Sequence, residues 1–446
     1  MLLCISTVKL FWVQPQRSFS SLAKCLRLTG KLPMEPQTQA SLDKDFLPWL
    51  EQIAGSKITN TLTIGKSTYG RSLFASKVIH AGDCMLKVPF KAQITPDELP
   101  LDIRVSLTDE VGNIGKLAAV LISEKKTGQK SRWVPYISRL PQPAEMHSTI
   151  FWGEDELSMI RCSAVHKETV KQKAQIEKEF SFVAQAYKQH SPMVMERRDL
   201  ENFMYAYALV GSRAWETSKG ISLIPFADFM NHDGLSASIV ISDEEKQLSE
   251  VTADRNYSPG DEVQIQMVVP NDDPLRIMKL GLLRTHHTRT VKDINIFHSS
   301  CDTFTIKEVK SAIGKGKGIP QSLRAFARVL CCTIPQELND LSKEAAQNDG
   351  RLARLPLKDR SRELEAHKIL LSHINRLIED HSACIKEMEE YKCYVVSQRL
   401  VVRRQMARDL LSGELRVLRS AAEWLSHYCT TLFSEHSLYN SNIQMN

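Results

Sequence analysis

Apolar positions along the chain change their spacing repeatedly, and each change marks a different kind of element. In "SLDKDFLPWLEQIAG" the apolar residues Phe46, Leu50 and Ile53 recur at helical spacing; a Ser or Asp stands ready as N-cap and Gly55 as the stop. From about 57 to 104 the texture turns to short runs, "TNTLTIG", "SLFASKVI" and "CMLKVPF", broken by Gly and Pro, which predicts strands and turns. From 105 to about 220 helical periodicity returns in "GKLAAVLISEKK", in the long amphipathic "KETVKQKAQIEKEFSFVAQAYKQH", and in "RDLENFMYAYALVGSRAW" with Asp199 as its expected cap. Strands are expected again at "ISLIPF", "ASIVIS", "SEVTADR" and "DEVQIQMVV", the last pair joined by the turn "SPGD". Beyond 291 the pattern is mainly helical, most clearly in "ELEAHKILLSHINRLIEDHSACIKEMEEYK".

The predicted class is therefore α+β: a β-rich unit over 35–290 with a helical insertion at about 105–220, then an all-α domain over 291–446. Internal repeats and low-complexity tracts are absent from the pattern. So are the βαβ alternation and the G-x-G-x-x-G of a dinucleotide-binding fold.

Charge changes the picture at one place only. The chain has 446 residues and a net charge of +6, but Lys9, Arg17, Lys24, Arg27 and Lys31 all precede the first acid, Glu35. Setting those five aside leaves +1, so the body is nearly neutral and offers no electrostatic case for nucleic acid. An acid-free, Ser-rich, basic leader over 1–34 reads as an organellar transit peptide, and "QRSFSSLA" resembles a processing site; chloroplast and mitochondrion both fit. Ten cysteines show no C-x-x-C pair, which predicts reduced, mostly buried thiols. Adjacent His286 and His287 have no accompanying carboxylate or cysteine pattern, so no metal site is expected. Membrane insertion is not expected either, for want of a long uninterrupted apolar stretch.

The sharpest chemistry lies in "IPFADFMNHD", where an apolar run meets Asn231, His232 and Asp233. Such a join suits a site that grips a polar ligand beside a hydrophobic wall. Together with "YGRSLFAS", "VIHAGDCMLKVPF", "RWVPYISRLP", "IFWGEDEL", "VGSRAW", "SPGDEVQIQM" and "RQMARDLLSGELRVLRSAAEWL", in that order apart from its own place, it resembles the SET-domain methyltransferases of the Rubisco large-subunit lysine methyltransferase type. That group includes the actin-histidine methyltransferase. The resemblance implies a SET β-fold interrupted by the helical insertion and followed by a helical substrate-binding domain. It implies S-adenosyl-L-methionine as cofactor, a protein as substrate, and lysine N-methylation of a non-histone target by a monomer, without nucleic acid or membrane.

Carried over position by position, the resemblance places Tyr69, Gly70 and Arg71 against the cofactor, with Gly70 allowing close backbone approach and Ser72 standing where the family has a second glycine. Arg213 then meets the cofactor carboxylate, Asn231 and His232 hold the cofactor, and Asp228 lies near the substrate amine. The apolar residues before them form core strand and channel wall. One departure bears on activity: the tyrosine that ends the family's closing strand is Met267 here, continuing the stripe Val263, Ile265. A thioether donates no hydrogen bond, and losing a preorganised oxygen costs about 3–4 kcal/mol of transition-state stabilisation. No catalytic residue is assigned in its place. Tyr205, Tyr207 and Tyr257 are candidates to substitute; the alternative is a catalytically impaired SET fold that binds cofactor and a protein partner.

Overall fold

The computed structural model describes residues 44–67, 70–191, 195–217, 220–232, 238, 240–265, 277–281, 303–347, 355–390 and 397–443. Tyr69, Met267, His286 and His287 lie outside them, as does the basic segment 1–34, and of His232 only the backbone is described. Two compact units emerge. One comprises 1–151 and 170–271, the other 152–169 and 272–446. Packing thus divides the chain between 271 and 272 and assigns 152–169, from inside the helical insertion, to the second unit.

The first unit opens with helix α1 (Phe46–Ala54). Phe46 and Leu50 are buried, and Gly55 ends the helix at φ +63°, the left-handed conformation expected of a glycine stop. The preceding Asp45 makes no capping hydrogen bond, so burial of the apolar stripe, not a cap, holds α1. Strands β1 (Leu62–Ser67), β2 (Gly70–Ala75) and β3 (Cys84–Pro89) follow where short β runs were expected. The insertion supplies α2 (Leu101–Ser106), α3 (Asn113–Thr127) and α4 (Val134–Ile137). After α5 (Glu154–Ser158) come α6 (Ala164–His190) and α7 (Leu200–Arg213). Asp199 does not cap α7; its carboxylate accepts from the Glu196 amide at 2.9 Å and pairs with Lys126 at 2.7 Å.

Strands β4 (Trp215–Thr217), β5 (Gly220–Ser222), β6 (Asn231–His232), β7 (Val240–Asp243), β8 (Leu248–Thr252) and β9 (Glu262–Ile265) complete the β part. Sheet order is β1-β2-β9-β6 in one sheet and β3-β8-β7 in another, with β4-β5 a separate ribbon. The turn 258–261 forms, with Asp261 N–H donating to the Ser258 carbonyl at 3.0 Å, but it does not close the expected hairpin. It follows a bridge between Ile79 and Tyr257 and delivers the chain to β9, which pairs with β2 and β6, whereas β8 pairs with β3 and β7. Short strands with two available neighbours pair where their apolar faces find cover, and local turn chemistry does not decide that.

In the second unit β10 (Ile277–Gly281) and β11 (Thr303–Lys307) form an antiparallel pair. Helices α8 (Gln321–Leu330), α9 (Pro335–Ala346), α10 (Arg360–Glu390) and α11 (Gln398–Ile443) follow, and the last two pack extensively on one another. One apolar cluster joins α8, α10 and α11 through Leu323, Leu370 and Trp424; another joins Trp152, Leu157 and Ile160 to Met388 and Leu411. None of the described helices is long and apolar enough to cross a membrane.

Candidate functional site

Leu223, Ile224 and Phe226 are fully buried, but they do not continue as the core strand expected from their composition. Phe226 sits at φ +74°, ψ −52°, a tight-turn conformation that L-residues rarely adopt. Strain of this kind persists only where the surroundings over-determine it. Here it turns the chain into one 3-10 turn over 227–229 and inserts the Asp228 side chain into the interior, where it has no exposure at all.

Three side chains converge there. Tyr136, at the end of α4 and itself buried, donates its hydroxyl to Asp228 Oδ2 at 2.7 Å. Arg213, the last residue of α7, donates from Nη1 to the Asp228 carbonyl at 2.8 Å and to Oδ2 at 3.3 Å. Asp228 Oδ1 is buried and has no hydrogen-bond partner among the described residues. Burial pushes the Asp228 carboxyl above its ordinary value, against the opposing pull of Arg213 and of the bonds from Tyr136 and Arg213. The Tyr136 phenol is driven well above its usual value by burial and by the adjacent carboxylate, so it remains a proton donor. A buried carboxylate with one oxygen unsatisfied is costly, and such sites concentrate at functional positions.

Three residues on, β6 lies parallel to β9, with Asn231 opposite Gln264 and His232 opposite Ile265. Asn231 Nδ2 donates to Glu262 Oε1 at 2.7 Å and to Ser67 Oγ at 3.0 Å. With both amide hydrogens engaged, its carbonyl oxygen is the group left to accept from a ligand. Ser67 ends β1, immediately before the segment that leads to Gly70. Gly70 has φ +105° and open space where a Cβ would stand, so the backbone angle, not crowding, is what calls for glycine. Arg71 Nη1 donates to the Arg139 carbonyl at 2.6 Å, and its guanidinium stacks over the Phe229 ring at 5.3 Å. It thus ties β2 to the turn that carries Asp228. Ser72 is wholly buried, with an Oγ that finds no partner among the described residues.

The structure therefore brings Gly70, Arg71, Arg213, Asp228 and Asn231 into one unit, and gives Arg213 a protein partner in Asp228. Val263 and Ile265 are buried as the stripe predicts; Met267 beyond them is outside the described residues. The tyrosines considered as substitutes are engaged elsewhere. Tyr205 donates to the Pro141 carbonyl at 2.5 Å and Tyr257 to Asp254 at 2.6 Å, while Tyr207 packs beside Phe203. Sequence reasoning missed Tyr136, Glu262 and Ser67. Tyr136 lies in "RWVPYISRLP", yet nothing local marks a tyrosine 92 residues from the carboxylate it meets.

Comparison with known proteins bears on the fold. The Rubisco LSMT substrate-binding family matches residues 270–418. A crystal structure of the SET domain of LSMT bound to lysine and AdoHcy superposes with a TM-score of 0.67 at 20% identity, covering 89% of this chain and 93% of that one. The chain has the fold of the LSMT SET structures. The LSMT structure bound to AdoMet aligns with a TM-score of 0.64 at 21% identity, over 90% of this chain and 93% of that one. Among curated relatives, the ribulose-1,5-bisphosphate carboxylase/oxygenase large subunit N-methyltransferase, chloroplastic, of Pisum sativum is 24% identical over 65% of this chain and 60% of its own length. The fructose-bisphosphate aldolase-lysine N-methyltransferase, chloroplastic, of Arabidopsis thaliana is 26% identical over 43% of this chain and 39% of its own length. The actin-histidine N-methyltransferase of Papio anubis is 22% identical over 85% of this chain and 67% of its own length. The chain spans 39% and 60% of the two lysine methyltransferase relatives. The α+β architecture expected of the LSMT-like fold, a SET unit with a helical substrate-binding-like domain, is the one observed.

Proposed function

We propose that this chain is an S-adenosylmethionine-dependent N-methyltransferase acting on a lysine side chain of a non-histone protein. The observation that carries the reading is Asp228: a wholly buried carboxylate, held by Tyr136 and Arg213, with Oδ1 left without a partner, three residues before Asn231. The relatives' names and the ligands of the matching structures support the same chemistry.

The residues present suit the cofactor. Gly70 offers an open, left-handed backbone position, Asn231 an amide oriented by Ser67 and Glu262, and Tyr69 and His232 the flanking positions expected from the resemblance. When bound, the cofactor supplies an electrophilic methyl on a sulfonium sulfur. Asp228 Oδ1 would accept a hydrogen bond from the target amine and draw in its cationic form. Asp228 orients the nitrogen, and the ammonium proton leaves to water before the methyl is transferred. Arg213 and Tyr136 hold the carboxylate in place beside the buried apolar residues Ile224 and Phe226.

A second reading rests on Met267. With no hydroxyl at that position, the fold would bind cofactor and a protein partner with little or no turnover. Labelled S-adenosylmethionine added to a cell extract with the wild type, Met267→Tyr and Asn231→Ala separates the two. Label on lysine that disappears with Asn231→Ala, and rises about ten- to a thousand-fold with Met267→Tyr, supports the enzyme. Label on histidine instead moves the substrate class. Without label from either active-site form, while calorimetry still shows cofactor binding, the enzyme reading fails and the interaction module stands.

Import into an organelle is part of the same proposal, on the basic leader and on relatives whose names read chloroplastic. Residues 1–40 fused to a fluorescent reporter are expected to enter chloroplasts or mitochondria, and a reporter on the chain from Met34 to stay outside; equal diffuse signal from both rejects it.

A further inference from the structure

In the second unit, residues 161–163 are fixed between the two long helices by polar contacts on either side of a cysteine. Arg161 Nη2 donates to Glu387 Oε1 on α10 at 2.8 Å, and Ser163 Oγ donates to Glu414 Oε1 on α11 at 2.8 Å. The other oxygen of Glu414 meets His381 Nε2 of α10 at 3.0 Å. Cys162, between them, packs against the cluster of Trp152, Leu157, Ile160, Met388 and Leu411 that also contains Cys384 of α10. Both are free, Cys162 half-buried and Cys384 buried.

We propose that Cys162 and Cys384 form a redox-reversible disulfide that staples the 152–169 segment to α10. The two cysteines share one apolar cluster, and the Arg161–Glu387 and Ser163–Glu414 bonds on either side of Cys162 hold its segment against α10 and α11, which keeps the thiols as neighbours. Residues 164–169 are the start of α6, which continues into the first unit, so the bond anchors the root of that helix. Cys162 is the accessible partner and Cys384 the resolving one. A small disulfide such as oxidised glutathione is the oxidant. The Cys162 thiolate attacks one of its sulfurs, forming a mixed disulfide and releasing one glutathione thiolate. Cys384, its proton lost to solvent, then attacks the Cys162 sulfur and releases the second glutathione. Two protein thiols are oxidised and one small disulfide becomes two thiols. Burial and the neighbouring Cys384 raise the Cys162 thiol above its ordinary value, so the attack is slow at neutral pH.

The inference does not depend on the methyltransferase reading. Its test uses the full chain equilibrated in reduced and oxidised glutathione at graded ratios, quenched by alkylation, digested and mapped by mass spectrometry, with thermal unfolding run alongside. A linked Cys162–Cys384 peptide is expected under oxidising ratios, with the melting temperature raised by on the order of 10 °C and restored by dithiothreitol. Cys162→Ser, at a half-buried position, is expected to lose both the linked peptide and the shift; Cys384→Ala serves as the second variant. A glutathione adduct on Cys162 that never resolves would overturn the proposal. So would a melting shift that persists in Cys162→Ser, which would assign it to another pair such as Cys331 and Cys332.

Discussion

Each unit contains a carboxylate with no solvent exposure, an arginine and a tyrosine hydroxyl, and the two clusters behave oppositely. In the second unit Glu363 Oε1 accepts from Arg328 Nη2 at 2.6 Å and from Tyr428 at 2.9 Å, while Oε2 accepts from the Leu357 amide at 3.2 Å. Burial pushes that carboxyl up, but the bond from Arg328, the neighbouring His367 and the bond from Tyr428 prevail, so Glu363 lies below its ordinary value. In the first unit Asp228 has the same kinds of partner, all on Oδ2, and burial prevails, so it lies above. Satisfaction of both oxygens makes a buried carboxylate a structural tie between helices. Leaving one oxygen open makes it a destabilised group, a cost that the proposed substrate contact would relieve. The difference lies in how deeply each carboxylate is buried and in how many donors meet it.

The largest expected effect attacks the satisfied cluster. Arg328→Met leaves Glu363 buried with its main cationic partner gone and should cost about 3–5 kcal/mol of stability, read as a lower denaturation midpoint of the second unit. A loss below about 1 kcal/mol would mean that Tyr428 and the Leu357 amide suffice and that the two clusters do not differ in kind.

The matching change at the open cluster should act on function instead. Asp228→Asn keeps the shape and removes the charge, and methyl transfer should fall by about a hundred-fold while stability moves by about 1 kcal/mol or less, since the variant no longer buries a half-satisfied carboxylate. Transfer kinetics and urea unfolding on one preparation test both halves. Severe unfolding with residual activity unchanged would make Asp228 another structural tie.

The smallest effect is a pH dependence of the satisfied cluster. His367 Nδ1–H donates to the Glu363 carbonyl at 2.8 Å, so Nε2 accepts from Arg324 Nε at 3.2 Å; burial first, then Arg324 and Arg328, outweigh Glu363 and lower His367 to about 4. A folded value below the unfolded one means that this contribution is complete above about pH 6.5 and is lost as pH falls toward 4. Thermal melts of the second unit should therefore lose roughly 2 kcal/mol between pH 7 and 5. A flat profile over that window, or the same slope in His367→Gln, would remove His367 from the cluster's account.

Much of the scaffold was legible. The stripe of Phe46 and Leu50 with its Gly55 stop, the short strands around β2 and β3, and the helical periods of α3, α7 and α10 each report which face of an element is buried. The blocks that contain Gly70, Arg71, Arg213, Asp228 and Asn231 were legible as contiguous stretches, and the structure brings those residues into one unit. Less legible were the caps. Asp45 and Asp199 stand where caps belong, yet Asp199 is drawn to Lys126 and to the Glu196 amide, a competition that no helical pattern records.

By itself the sequence determined which segments are strands and helices, and which short blocks carry polar groups beside apolar walls, because periodicity and turn chemistry act within a few residues. Tertiary structure alone decided which strands share a sheet, why 152–169 packs with the second unit, and why Phe226 adopts a strained turn instead of extending a strand. It also decided that Tyr136 reaches Asp228 Oδ2 while Oδ1 stays open. The reason is that a buried polar atom is satisfied or left open by whichever chain segment folds against it, and that partner lies dozens of residues away, beyond the reach of any local pattern.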